Sequence, residues 1–152
     1  MSGAEGGVLA VVRGTVRPET AAAAWTLASR LGAALTVLYL PGADLAHYGF
    51  AETLAPSTAK HDFIAYVQAN ASRELARTKE AFAHAGAPAE RIRWKPGDGP
   101  LPSGVAQELG AGAYEMVALC GRASSPGRGR GFTEREAAAV ARRLSCPLVY
   151  LP

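Results

Sequence analysis

The sequence is poor in the residues that define several common classes of protein. Its two cysteines, Cys120 and Cys146, stand in apolar surroundings without CxxC spacing, which argues for reduced thiols and against a disulfide-stapled secreted domain. No apolar run approaches the length of a membrane-spanning helix. The opening "MSGAEGG" lacks the basic segment of a signal peptide, and the apolar run that follows it is too short for one. We therefore expect a cytoplasmic protein.

Charged residues make up only 19% of the chain, against 49% hydrophobic residues, and the net charge is +3. This composition excludes a disordered protein and favours one globular domain over residues 1–152, with 1–6 as a flexible N-terminus. The three histidines, His47, His61 and His84, lie far apart and lack metal-ligand spacing, so we expect no metal site. Arginine is abundant, but so is alanine, and a compositional bias explains both without a nucleic-acid partner.

What the sequence does have is an alternation of short apolar runs with stretches of helical period. The run "VLAVV" is typical of a strand buried on both faces. Pro18 and Gly32 suit the start and end of the first helix, Ser103 is a candidate cap for the third, and 41–60 has no sustained period and is predicted to be a loop. Such alternation predicts an α/β fold with a doubly wound parallel sheet. The predicted strands are 8–12, 34–40, 91–95, 116–120 and 147–151, and the predicted helices are 18–31, 64–82, 103–110 and 133–144.

Ligands of doubly wound sheets bind beyond the carboxyl ends of the strands, where the strand order reverses. Position therefore nominates the loops after the first and fourth strands, 13–18 and 121–131. The second of these lies in "LCGRASSPGRGRGFTER", which is rich in glycine and arginine. Exposed backbone N–H groups and guanidinium groups can hold a phosphate there. The alternative is a solvated loop, and since it has little apolar content we expect 123–131 to be mobile without a ligand.

Five features carry a resemblance to a known family: "VLAVVRGT", "LGAALTVLYL", the turn "PGDGP", the strand that runs into Gly121 and the ending "ARRLSCPLVYLP". In order and spacing they resemble the universal stress protein family over nearly the whole chain. The resemblance implies a five-stranded parallel sheet in the order 3-2-1-4-5. It also implies a homodimer made through the last strand, here Leu148, Val149, Tyr150 and Leu151. The family divides into members that bind ATP and members that do not.

The ATP-binding members carry an Asp at the end of the first strand and a loop of the form Gly-x2-Gly-x9-Gly-Ser/Thr. With Gly121 as the first glycine, the second falls on Ser124, the final pair falls on Glu134 and Arg135, and the Asp falls on Arg13. Only Gly121 matches. An arginine offers donors and positive charge where an Asp would accept hydrogen bonds. A carboxylate at Glu134 would occupy the helix terminus that should meet a phosphate.

These departures predict a divergent, non-catalytic stress-response or regulatory domain with a remodelled nucleotide cleft that does not bind ATP in the family's usual manner. No Ser-His-Asp or Cys-His grouping indicates an enzyme. The alternatives are an adenine-nucleotide binder whose glycine-rich loop has shifted register and, more weakly, a nucleic-acid-associated module. No cofactor is assigned, with ATP or another phosphate-bearing ligand as the candidate. The candidate anion or nucleotide cleft comprises Arg13, Gly14, Gly121, Arg122, Ser124, Gly127, Arg128, Gly129, Arg130 and Gly131.

Overall fold

The computed structural model describes residues 6–40, 57–97, 101–123 and 131–152. Residues 1–5 of the predicted flexible N-terminus lie outside this part of the chain. A short 3-10 turn, Ala89–Arg91, precedes the third strand. The strands are β1 (Gly7–Arg13), β2 (Leu35–Leu40), β3 (Ile92–Pro96), β4 (Tyr114–Cys120) and β5 (Leu148–Leu151), and the helices are α1 (Pro18–Leu31), α2 (Ser57–His84), α3 (Leu101–Ala111) and α4 (Glu134–Ala141).

The strands form one parallel sheet in the order β3-β2-β1-β4-β5. Every residue of β1 and β2 is buried, because these strands lie inside the sheet and carry apolar side chains on both faces. The predicted α/β class and strand order are therefore confirmed.

Successive side chains of β1 point into two separate cores. Val8, Ala10 and Val12 belong to the core beneath α1 and α2, whereas Leu9 and Val11 belong to the core beneath α3 and α4. This period of two follows from the pleat of the strand. Helices thus cover both faces, and the chain leaves β1 toward one layer and β4 toward the other. On the first face the helices contribute Ala21, Ala24, Ala28 and Phe82, and on the second Leu101, Val105, Ala137 and Val140.

The first helix has the bounds that its sequence predicts. Pro18 occupies the first turn, where a missing N–H costs nothing, and Gly32 ends the helix in the left-handed region at φ 63°. Among the described residues, no helix is both long and apolar enough to cross a membrane.

Two predictions about helix starts are wrong. The sequence predicts a loop over residues 57–60, but α2 begins at Ser57, and its first turn carries no acidic residue. The rest of that predicted loop, 41–56, lies outside the described residues. Ser103 does not cap α3, because the helix begins at Leu101 and accommodates Pro102 in its first turn.

Candidate functional site

The ends of β1 and β4 lie side by side at the point where the chain departs toward opposite layers. Between them is a cleft of about 340 Å³, whose floor includes the buried Cys120. A doubly wound sheet places its ligand-binding crevice at this position. The cleft is lined on one side by Thr15, Val16, Arg17 and Thr20, and on the other by Gly121, Arg122 and Gly131.

The two described ends of the glycine-rich loop are held together by main-chain hydrogen bonds. Phe132 N donates to Gly121 O at 3.0 Å, and Ala123 N donates to Phe132 O at 2.9 Å. Gly131 N also donates to Arg13 O at 3.2 Å, which ties the loop to the end of β1. The loop therefore starts and ends at fixed points beside the cleft.

This arrangement brings the backbones of Gly121 and Gly131 very close together, which the absence of side chains at both positions allows. Both have positive φ, at 98° and 78°. A Cβ on Gly131 would lie 2.7 Å from the carbonyl carbon of Gly121, closer than non-bonded carbons approach. Glycine is required at position 131 on both grounds.

Arg13, at the end of β1, is directed toward α4 rather than left free for a ligand. Its Nη1 lies 2.9 Å from Glu136 Oε2 and donates to Gly131 O at 3.3 Å. Its guanidinium lies over the ring of Phe132, with the central carbon 4.8 Å from the ring centroid. The residue is only 9% exposed. The positive charge is neutralised inside the protein.

The N-terminus of α4 is closed by a capping box. Glu136 N donates to Thr133 Oγ1 at 3.1 Å, and Thr133 N donates to Glu136 Oε1 at 2.9 Å. Glu134, which the sequence predicts at this terminus, does lie in the first turn but is 88% exposed, and the capping carboxylate is that of Glu136. The pattern Thr-x-x-Glu at 133–136 was the available signal.

Arg122 lies at the start of the same loop and lines the cleft. Its guanidinium carbon is 4.6 Å from the centroid of the Tyr150 ring, and its Nη1 is 3.8 Å from Glu134 Oε1. The Tyr150 hydroxyl in turn donates to Phe132 O. Among the predicted site residues that the structure describes, Arg122 presents an exposed charge, with 58% of its side chain accessible.

The structure brings together Arg13, Gly14, Gly121, Arg122 and Gly131 from the predicted cleft residues. Gly14 is fixed from both sides, since its N–H donates to Leu40 O at 2.9 Å and its carbonyl accepts from Thr78 Oγ1 at 3.2 Å. The remaining predicted cleft residues lie outside the described part of the chain: Ser124, Gly127, Arg128, Gly129 and Arg130. Two further residues, Thr20 and Pro152, also line the cleft. Phe132 and Glu136 contact Arg13, and Tyr150 contacts Arg122, without lining the cleft themselves.

The parallel sheet, its reversal at β1 and β4 and the crevice between them define a doubly wound α/β fold. No family model matches the chain, and no curated protein matches it. Solved structures do match it.

A universal stress protein from Archaeoglobus fulgidus superposes with a TM-score of 0.57 at 14% identity, covering 97% of this chain and 99% of that one. A protein of the universal stress protein family from Burkholderia pseudomallei gives 0.56 at 15% identity, with 95% of each chain covered. The Archaeoglobus fulgidus protein in complex with dAMP gives 0.56 at 12% identity, covering 98% and 99%. The chain has the fold of the universal stress proteins, as the resemblance implied.

Proposed function

We propose that this chain is a non-catalytic regulatory protein of the universal stress protein type, with a remodelled cleft that does not bind ATP in the family's manner. The ion pair between Arg13 and Glu136 carries the proposal. It lies where the resemblance expects an acidic residue that faces a ligand. In its place the chain has a guanidinium, which has no acceptor for a ligand's donors and is already paired.

The helix terminus beyond the loop supports the same conclusion. The carboxylate of Glu136 accepts from Thr133 N and so takes a position that a phosphate oxygen would otherwise occupy. A polyphosphate that approached Thr133 N would meet the carboxylate that already accepts from this N–H.

The character of the cleft floor supports a non-catalytic role. Cys120, the nucleophilic side chain there, is buried, and burial raises the pKa of its thiol to about 12. A thiol needs a lowered pKa to act as a nucleophile at neutral pH. The hydroxyl of Thr20, which also lines the cleft, donates to the main-chain oxygen of Pro152.

We expect calorimetric titration of the protein with ATP and magnesium to show no binding at micromolar concentrations. The melting temperature should likewise stay constant, whereas a ligand at a hundred times its Kd would add about 2.7 kcal/mol to the free energy of unfolding. A titration with chloride at the same ionic strength is the control. Stoichiometric ATP binding, or ATP that remains through purification, would refute the proposal.

A second candidate is an adenine-nucleotide binder that uses the cleft in a different register. Two observations favour it: the 340 Å³ cleft is open beside Arg17 and Arg122, and one protein of this fold was solved with dAMP. The same calorimetric experiment with AMP and dAMP separates the candidates. Binding of the monophosphates without ATP would support this second function.

We also propose that the protein forms a homodimer across β5. This strand lies at one edge of the sheet, and all its residues are only half-buried, in contrast to the fully buried β1. An apolar edge strand is a pairing surface unless something covers it. A second copy that pairs with it would give a closed two-fold interface.

Light scattering at micromolar concentration should therefore give twice the mass of the chain. Val149→Lys should shift the population to monomer, because a charge on an edge strand opposes pairing. Thr26→Lys, which adds the same charge on the exposed face of α1, is the matched control and should leave the dimer intact. A monomeric mass for the unmodified protein would exclude this assembly.

A further inference from the structure

The strand β3 lies at the edge of the sheet opposite β5. It pairs with β2, where Leu35 is opposite Ile92 and Tyr39 is opposite Pro96. Within the ranges that the structure describes, no other strand pairs with β3. An edge strand has N–H and C=O groups on its outer side, and another extended segment can pair with them.

Two basic side chains project from one face of this edge strand. Ile92 and Trp94 pack on the core beneath α1 and α2, so the alternation of a strand places Arg93 and Lys95 on the side of α3. The Nζ of Lys95 lies 3.0 Å from Glu108 Oε2. Arg93 is exposed and forms no ion pair with any residue of the described chain. Its charge is therefore available to a carboxylate from outside.

Two further cations lie beside the opposite face of β3. Arg91 directly precedes the strand, and its guanidinium carbon is 5.6 Å from the centroid of the Trp25 ring. Lys79, on α2, has its Nζ 5.5 Å from the centroid of the Trp94 ring. Both are exposed, and among the described residues neither forms an ion pair, even with the neighbouring Glu90. The edge therefore has positive charge at both faces of the sheet.

We propose that β3 is a docking edge for an extended acidic segment of a partner protein, which adds to the sheet as a further strand. Successive side chains of an added strand point to alternate faces, so neighbouring carboxylates meet the cations on both faces. Main-chain hydrogen bonds supply affinity, and the charges select the partner. This edge is separate from the cleft and from β5, so it is independent of both proposals made above.

The side chains at this edge disfavour two other occupants. A second copy of β3 would bring Arg93 and Lys95 close to like charges, which destabilises a strand pair. Single-stranded nucleic acid binds largely by stacking its bases on aromatic rings. Trp25 and Trp94 are poorly placed for this, because each packs partly against the core and already has a cation over its ring. An acidic peptide fits both the charges and the unpaired backbone edge.

The test is the fluorescence anisotropy of a labelled peptide with the repeat Glu-Asp-Val-Thr, titrated with the full chain. We expect saturable binding that weakens as the salt concentration rises, because exposed charges are screened. The same peptide with proline at every Val and Thr keeps its charge but lacks N–H groups for pairing, so it should not bind. Polyuridine RNA of the same length should not compete.

Arg93→Glu should weaken peptide binding by about tenfold or more, since it replaces an attraction with a repulsion. Arg143→Glu makes the same charge change at an exposed position beyond α4 and should leave the affinity unchanged. Arg93→Gln removes the charge alone and should weaken binding by a smaller factor. It also replaces Arg93→Glu in the comparison if that variant does not fold.

Hydrogen exchange on the full chain locates the bound peptide. The peptide should slow exchange within 92–95 and leave 148–151 unchanged. Protection at β5 in place of β3 would overturn the proposal. So would an absence of binding, equal binding of the proline-containing peptide, equal competition by the RNA, or equal affinities of the Arg93 and Arg143 variants.

Discussion

Replacement of Gly131 by alanine should cost about 2–5 kcal/mol in the free energy of unfolding. About 1–2 kcal/mol comes from placing a Cβ on a residue with φ 78°. The rest comes from the clash of that Cβ with the backbone of Gly121, 2.7 Å from its carbonyl carbon and 2.9 Å from its oxygen. A backbone neighbour cannot rotate away as a side chain can, so the loop end must separate from β4. Urea unfolding measures the loss.

Gly32→Ala is the matched control for this substitution. Gly32 also has positive φ, at 63°, but a Cβ there would meet nothing within 4 Å. We expect only the conformational cost, about 1–2 kcal/mol. If both substitutions cost the same, the close approach of Gly121 and Gly131 would not be a feature of the folded protein.

Phe132→Ala should destabilise the protein by about 3–5 kcal/mol, the range for truncation of a buried aromatic side chain. Phe132 is fully buried and packs in the core beneath α3 and α4. Its ring also lies under the guanidinium of Arg13, so the truncation leaves a cavity beside a buried charge. The free energy of unfolding, measured with urea, and the melting temperature should both decrease.

Leu31→Ala controls for the loss of apolar surface without a cavity. Leu31 is 45% exposed at the end of α1, and its truncation should change the free energy of unfolding by less than about 0.5–1 kcal/mol. A loss at Phe132 no greater than at Leu31 would mean that the loop end does not pack into the core. Phe132→Leu, which keeps most of the volume but removes the ring, should fall between the two.

Much of the fold could be predicted because its evidence is local. The apolar runs that become β1 and β2 need no distant partner to be recognised, since strands buried on both faces have a continuous apolar pattern. Pro18 and Gly32 mark α1 through their own backbone preferences. From the alternation of such elements, the position of a cleft beyond β1 and β4 follows by topology alone.

The starts of α2 and α3 show where local evidence ends. At Ser57 no acidic residue marks the first turn, and at Leu101 a proline in the first turn looks like part of the preceding turn. A helix can begin without a favourable local sequence when its apolar face packs against a sheet, because tertiary packing supplies most helical stability.

The sequence by itself determined the alternation of strands and helices. That alternation places the cleft beyond the carboxyl ends of the strands. Only the tertiary structure decided which charged side chains meet beside that cleft. Arg13 and Glu136 are 123 positions apart, and no spacing rule connects them. They meet because β1 and β4 are neighbours in the sheet and α4 folds back from β4 with its N-terminus toward the end of β1. Long-range packing brings a charge to its partner, and local preference cannot specify which partner that is.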